Sequence, residues 1–513
     1  MIVRRFWWAG LLAIAVLTFS AHYSLQAPTG AWGNRIFGEP AWGEADPGNS
    51  YFTAAHEIGW GEAPLFVGHP GTPLLPLLYV VQIARYRALA DAGTSYTRFT
   101  AQHLPATFVA SKLMMTVLHL LSFCALYGMT RQLLHDHRAA ALATLGYATC
   151  FPVLYFLSRI SPEPILIGGI AAAFWGTWRY EDLVRAGRPA AALTCAAGAA
   201  VAAVSAALAK IAFAGPLPFL LALHIGAGAW RSEPGGPIPW RVRLQALGAF
   251  AAASLVSLAL YSQIIDWTRF IGIWRLIAGL TVTDGWTLAD AIPGLGAHHI
   301  YLVAEPAFIV CAAIGWWRFL RRRPADRRRA LWLSVFGAYG LLFFVYRVVI
   351  AGNFLPFHYS FVFQATAAVF FGYAGVEAWQ RLRMPWDWRA GAATATLLAT
   401  LHGVGLAAVV DARRSDIAGF AGGEPAYRLV EQLRPGDRIA IPKRPGQRKP
   451  LRNELMLVHG FFYPFFWQER ESVLAEEFAS YFLSVPPAQM PAQAQRTLIP
   501  VLDTHVAVIR SGE

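Results

Sequence analysis

The chain has 513 residues, 56% of them hydrophobic and only 14% charged, with a formal net charge of +13. A soluble domain carries about 25% charged residues, so this composition is that of a polytopic membrane protein. The positive balance invites a nucleic-acid reading, but its distribution argues against one, because the arginines form short clusters between apolar stretches, where orientation signals of membrane proteins fall.

A span needs about 20 mostly apolar residues. About eleven such stretches follow one another, at roughly 6–25, 105–130, 139–157, 163–179, 190–209, 211–229, 244–263, 300–317, 331–350, 358–377 and 389–410. Arg4 and Arg5 before the first give it the look of a signal peptide, but the many later spans favour a retained anchor. Residues 72–90 are also apolar, interrupted by Arg85 and Arg87, and are expected to form a helix lying at the interface.

With the N-terminus inside, the internal loops hold Arg131 and Arg138, then Arg179, Arg185 and Arg188, then Arg231, Arg241 and Arg243. The run Arg318–Leu331 follows, and then Arg381, Arg383 and Arg389. All strongly basic loops therefore fall on one face. The opposite face receives a long first loop (about 26–104), a turn at Ser158–Glu163, a loop from Gln263 to His299, and a tail from Asp411. The tail reads as soluble, with a helical stretch at Pro425–Leu433, a turn at Arg434–Asp437, a strand at Arg438–Ile441 and a strand-like run at Thr504–Arg510. A small α/β domain fits that pattern. The expected fold is mainly α: a transmembrane helical bundle over 1–410, then an extracytoplasmic domain over 411–513.

The first external loop is dense in reactive groups. Asp46 stands in an Asp-Pro-Gly turn, a position that Asp fills simply because its side chain bonds nearby backbone. The functional reading is a general base that takes a proton from an acceptor hydroxyl. His69 opens the rigid corner HPGTPLLP, and is either an interfacial loop histidine or a donor to a lipid-linked phosphate. Arg159 and Glu163 stand at the outer ends of two spans, as a pair that pins two helices or as functional charges. Lys210, one of only four lysines, interrupts ALAKIAFAG with no counter-charge close in sequence. A lone cation there is costly unless it meets an anion, and the choices are snorkelling to headgroups or a lipid phosphate. His298 and His299 are adjacent, a poor geometry for co-ligands of a metal, so binding of substrate hydroxyls or phosphate is preferred. His358 and Tyr359 open a late span, as an aromatic-belt anchor or a substrate donor.

Cys124, Cys150, Cys195 and Cys311 each lie in an apolar run, so neither disulfides nor a cysteine–zinc site is expected. No GxxxxGK[ST], HExxH or GxSxG occurs, which removes the P-loop, zincin and nucleophile-elbow classes.

In order and spacing these residues resemble the GT-C class of integral-membrane glycosyltransferases, in particular the protein mannosyltransferase and aminoarabinose transferase superfamily (family 39/83-like). Asp46, Tyr51 and His69-Pro70 match in order the family's acidic first loop, Tyr-bearing helix and Lys- or His-Pro-Pro segment, with His69–Pro73 (HPGTP) in place of the usual HPP or KPP. Phe156–Glu163 (FLSRISPE) matches an aromatic-rich Ser-Arg segment followed by Pro-Glu; Lys210 and His358–Tyr359 match later positions. The likeness covers about residues 1–410. Many family members carry Asp-Glu where this chain has Asp46-Pro47, leaving Glu44 or Glu57 to supply a second carboxylate.

The resemblance implies an inverting transfer on the extracytoplasmic face. A sugar would move from a polyprenyl-phosphate donor to a hydroxyl of a glycan, lipid or protein acceptor. Asp46 would be the base, with Tyr51, His69, Arg159, Glu163, Lys210, His298, His299, His358 and Tyr359 binding substrate, and no cofactor or metal is implied. The arginine bias and alanine-rich spans point to a bacterial inner membrane. The competing reading is a transporter or flippase, which would show repeated halves and broken mid-membrane helices.

Overall fold

The computed structural model describes residues 3–27, 48–59, 61, 64, 71–96, 99–100, 103–157, 159–227, 236–268, 270–271, 306–323, 326–345 and 360–381. It also describes single short runs between 396 and 417, and residues 438–442, 482–485, 499–501 and 504–509. The described helices are α1 (Val3–Gln26), α2 (Gly48–Gly59), α3 (Leu74–Leu89), α4 (Leu104–Leu134), α5 (His137–Ala148), α6 (Phe151–Phe156) and α7 (Glu163–Arg185). They continue with α8 (Pro189–Ala209), α9 (Ile211–Ala214), α10 (Leu217–Ala227), α11 (Trp240–Tyr261), α12 (Pro306–Arg322), α13 (Arg327–Val345) and α14 (Phe361–Arg381). Five segments among the described residues are long and apolar enough to cross a membrane: Ala106–Leu134, Pro189–Ala209, Trp240–Tyr261, Arg327–Val345 and Phe361–Arg381. Leu11–Gln26 and Ile211–Ala227 are apolar but shorter.

Two stretches read as continuous spans are broken. The 139–157 stretch divides at Thr149–Cys150, because Pro152 at the start of α6 has no N–H and would clash with the carbonyl a turn earlier. The 211–229 stretch divides at Gly215–Pro216 for the same reason, with Pro216 and Pro218 ahead of and inside the first turn of α10. The 72–90 stretch forms one helix, α3, as expected.

The bundle is held by close helix approach. Along α8, the buried Ala192, Ala196, Ala199, Ala203 and Ala206 recur at alternating steps of four and three, which puts them on one face. That face meets α7, where a Cβ on Gly169 would come within 2.8 Å of the Ala202 carbonyl. Between apolar helices in lipid, such small-residue seams supply the van der Waals contact that favours association.

The ends of the bundle differ in charge. At one end Glu181 of α7 receives hydrogen bonds from Arg328 and Arg329 of α13, each at 3.1 Å, and its Oε1 lies 2.9 Å from His224 Nε2 of α10. Asp182 accepts from Arg329 and Gln132, Glu377 accepts from Arg318 and Arg322, and His135 lies 3.2 Å from Asp326. Among the described residues, arginines of several loops read as basic thus meet acidic partners at one end. Two arginines of the run read as a basic internal loop, Arg328 and Arg329, are buried, where two acidic groups on α7 neutralise them.

At the other end α1 meets α4. Ser20 and Thr116 share a hydrogen bond, and Lys112 Nζ donates to the Ala27 carbonyl at 2.9 Å. That bond satisfies an orphan carbonyl beyond the C-terminus of α1. In the tail, β1 (Arg438–Pro442), β2 (Phe482–Val485), β3 (Ile499–Val501) and β4 (Thr504–Ile509) form one sheet ordered β2-β1-β4-β3. The strands expected at 438–441 and 504–510 are β1 and β4. Strand β1 pairs parallel to β2 and antiparallel to β4.

Candidate functional site

The site is built at the junction of α6, α7, α8 and α9. After α6 the chain turns through Arg159 and Ile160, and α7 starts with Pro162 as its cap and Pro164 in its first turn. Proline suits these positions because their N–H groups have no intrahelical partner. Glu163 occupies that first turn, where a carboxylate is favoured by the helix dipole. Lys210 sits between α8 and α9 in an extended conformation, φ −153° and ψ 93°. Its backbone N–H closes α8 on Ala206, and its carbonyl accepts from Phe213 and Ala214 to open α9.

The two residues meet. Lys210 Nζ donates to Glu163 Oε1, with the Glu163 side chain 1% and the Lys210 side chain 9% exposed. Lys210, read from the sequence as a cation with no counter-charge close by, thus has one 47 residues away. The physical reason is the break at Lys210, which frees the lysine from helical geometry and turns it toward the start of α7. Lys210 Nζ also lies 5.3 Å from the Phe213 ring centroid.

Arg159 is buried, with its guanidinium carbon 4.2 Å from the Tyr155 ring centroid, a cation–π distance. A second guanidinium converges on the same ring. Arg413, also buried, lies 5.8 Å from the Tyr155 centroid and donates to the Tyr155 carbonyl. Arg413 carries no motif and was not among the sequence candidates. It reaches the site from the far end of the chain, 258 residues beyond Tyr155.

The first-loop elements make a separate packed layer. Tyr51 of α2 is buried against the backbone of Gly71, where any Cβ would collide with its ring. Gly71 stands two residues after His69 in the chain. Phe52 stacks on Phe108 of α4 at 4.2 Å. Gln82 of α3 donates to the Phe52 carbonyl at 2.9 Å and accepts from Tyr96 at 2.7 Å, and His56 stacks on Tyr96 at 4.2 Å. Burial drives the His56 pKa down to about 3, opposed by its bond to Gln82. Glu57 on the same helix is buried, a carboxylate held in this layer.

Of the expected site residues, the structure brings Glu163 and Lys210 together and sets Arg159 four residues before Glu163. It puts Tyr51 in the first-loop layer. Asp46, His69, His298, His299, His358 and Tyr359 lie outside the described residues. His358 and Tyr359 precede α14, whose first residue, Phe361, has its ring 5.6 Å from Phe156 at the end of α6. Among the described residues no group of three His, Cys, Asp or Glu is positioned to hold a metal ion. Sequence reading also missed Lys112 and His119, which sit with Thr116 on one face of α4 at helical spacing. Ionisable groups inside an apolar span were the available signal.

No protein-family model matches the sequence, and no curated protein matches it. Among solved structures the chain is similar to the oligosaccharyltransferase of Archaeoglobus fulgidus in its apo form, at 13% identity and a TM-score of 0.44. That match covers 93% of this chain and 65% of the archaeal protein. The chain is also similar to ArnT from Cupriavidus metallidurans bound to undecaprenyl phosphate, at 14% identity, a TM-score of 0.48, and coverage of 89% and 85% respectively. A third likeness is to the A. fulgidus oligosaccharyltransferase AglB in complex with an inhibitory peptide and a dolichol-phosphate, at 14% identity and a TM-score of 0.41, covering 88% of this chain and 61% of that one. The chain spans about two thirds of the length of the archaeal proteins.

Proposed function

We propose that this protein is an inverting glycosyltransferase that moves a sugar from a polyprenyl-phosphate donor to an acceptor hydroxyl at the first-loop end of the bundle. The carrying observation is the buried Lys210–Glu163 pair with the buried Arg159 close to it in the chain. When the sugar leaves, negative charge grows on the lipid phosphate. Cations fixed in a site of low polarity stabilise such charge far better than mobile ones in water, because they need no reorganisation. Glu163 holds Lys210 in readiness at the mouth of apolar helices that suit a prenyl chain. Asp46, two residues ahead of α2 in the chain, would take the proton of the acceptor hydroxyl from the other side of the sugar. The acceptor is a glycan, a lipid or a protein, and the active face is extracytoplasmic in a bacterial inner membrane.

The alternative, a transporter or flippase of a lipid-linked substrate, is favoured by the helix breaks at Thr149–Cys150 and Gly215–Pro216, since interrupted helices line many transport sites. Purified protein in lipid, given a panel of labelled polyprenyl-phosphate sugars, separates the two. Turnover of one donor that is lost in Asp46→Ala supports transfer with Asp46 as base. Movement of the intact donor across the bilayer with no bond cleavage supports transport and refutes transfer.

A further inference from the structure

Helix α12 has two unlike faces. Phe308, Ala312, Gly315 and Phe319 follow one another at steps of four, three and four and are buried. They pack on α14: a Cβ on Gly315 would collide with the Phe370 carbonyl, and the Phe319 ring lies 5.1 Å from that of Tyr373. Two residues further along, and so about half a turn round the helix, the opposite stripe is open. Val310 is 57%, Ile314 44% and Trp317 49% exposed, and Arg321 continues the stripe, also exposed. At 1.5 Å per residue the stripe runs about 16 Å from Val310 to Arg321, against about 15 Å for half the hydrocarbon core of a bilayer. An acyl chain of one leaflet therefore fits its length, with a cation at the end. The Arg321 guanidinium carbon lies 4.1 Å from the Trp317 ring centroid, a cation–π distance, and tryptophan settles at headgroup level. Trp316 beside it donates to the Ser334 hydroxyl of α13 at 2.7 Å.

The corner that follows carries more positive charge than it neutralises. Glu377 of α14 is shared by Arg318, Arg322 and Arg381, and Asp326 lies against His135. Arg321, Arg323 and Arg327 are exposed and have no acidic partner among the described residues. Arg327 opens α13, where the helix dipole disfavours a cation. Crowded like charges of this kind call for an anion. A second copy of the chain would bring the same arginines and be repelled, and a small soluble anion would leave the apolar stripe uncovered.

We propose that the exposed face of α12 binds an anionic phospholipid. An acyl chain lies along Val310, Ile314 and Trp317, the headgroup phosphate meets Arg321, and Arg323 and Arg327 add to the attraction. This surface lies at the arginine-rich end of the bundle, apart from the Lys210–Glu163 pair, and the inference stands independently of the transfer reading.

The test is native mass spectrometry of the delipidated full-length protein in detergent, titrated with phosphatidylglycerol and with phosphatidylethanolamine of the same acyl chains. Phosphatidylglycerol is expected to bind about tenfold or more tighter, by a margin that narrows as salt is raised. Arg321→Gln is expected to weaken phosphatidylglycerol about fivefold, the effect of one cation near an anionic headgroup. The triple variant Arg321→Gln, Arg323→Gln and Arg327→Gln is expected to abolish the preference. These side chains are exposed and make no ion pair in the fold, so the variants are expected to fold as the wild type does. Equal binding of the two lipids overturns the proposal, as does a preference that the triple variant keeps. Competition by glycerol 1-phosphate as effective as that of the whole lipid gives the corner to a free anion and overturns it. A protein dimer that forms in place of the lipid adduct and is lost in the triple variant gives the face to a second copy and overturns it too.

Discussion

Exchanging Lys210 for Met, alone and together with Glu163→Leu, separates what this pair does for stability from what it does for turnover. The Glu163 side chain is 1% exposed, so Lys210→Met leaves a carboxylate in the bundle with its nearest cation removed. Breaking a buried pair in this way costs about 3–5 kcal/mol. Replacing both partners with apolar residues of similar size removes the stranded charge as well, and such exchanges are neutral or stabilising by about 1–4 kcal/mol. Turnover follows a different rule. Loss of one fixed group that stabilises developing charge lowers the rate by about 10²–10³-fold, and restoring the packing does not restore the charge. Thermal unfolding in detergent is therefore expected to fall sharply in Lys210→Met and to recover in the double variant. Release of sugar from the labelled donor is expected to stay low in both. A double variant that is stable and turns over donor at the wild-type rate would refute the catalytic role of Lys210 and leave the pair a helix pin.

Three further outcomes follow from other parts of the structure. Arg413→Gln removes the guanidinium that bonds the Tyr155 carbonyl and shares its ring with Arg159; donor KM is expected to rise about tenfold or more, the loss of a charge-assisted bond of about 1.5–3 kcal/mol, and an unchanged KM would remove Arg413 from the site. His56 is buried and its pKa lies near 3, against 6.5 for the free side chain. Its neutral form is the one that folds, so the stabilisation is complete above pH 6.5 and declines as pH falls toward 3. At about 1.36 kcal/mol per unit the loss at pH 5 is about 2 kcal/mol, and hydrogen exchange in α2 and α3 should accelerate accordingly, an effect absent in His56→Phe. Arg329→Met strips a cation from Glu181 and Asp182. It is expected to cost about 3 kcal/mol of stability while turnover per folded molecule is kept, since this cluster lies at the opposite end of the bundle.

Much of the architecture was legible in the chain itself. Apolar length and the one-sided placement of arginine require only composition and order, and five of the described helices are long and apolar enough to cross a membrane. The helix within 72–90 and the strands at 438–441 and 504–510 were readable for the same local reason. The helix breaks were written as prolines at 152, 216 and 218, but hydropathy is blind to a missing N–H and ran through them. The residue types of the site, Arg159, Glu163 and Lys210, stood out because ionisable groups are rare in such a sequence.

What sequence could not supply was pairing. Glu163 is 47 residues from Lys210, and the two pair because α7 and α8 pack tightly along their small-residue seam, bringing the first turn of one to the end of the other. The same holds for Arg413 over Tyr155 and for Glu181 with Arg328 and Arg329. Composition and periodicity determine which groups must be buried, because transfer from water depends on each residue alone. Which charges answer one another depends on distances across the bundle, and only the packed helices fix those.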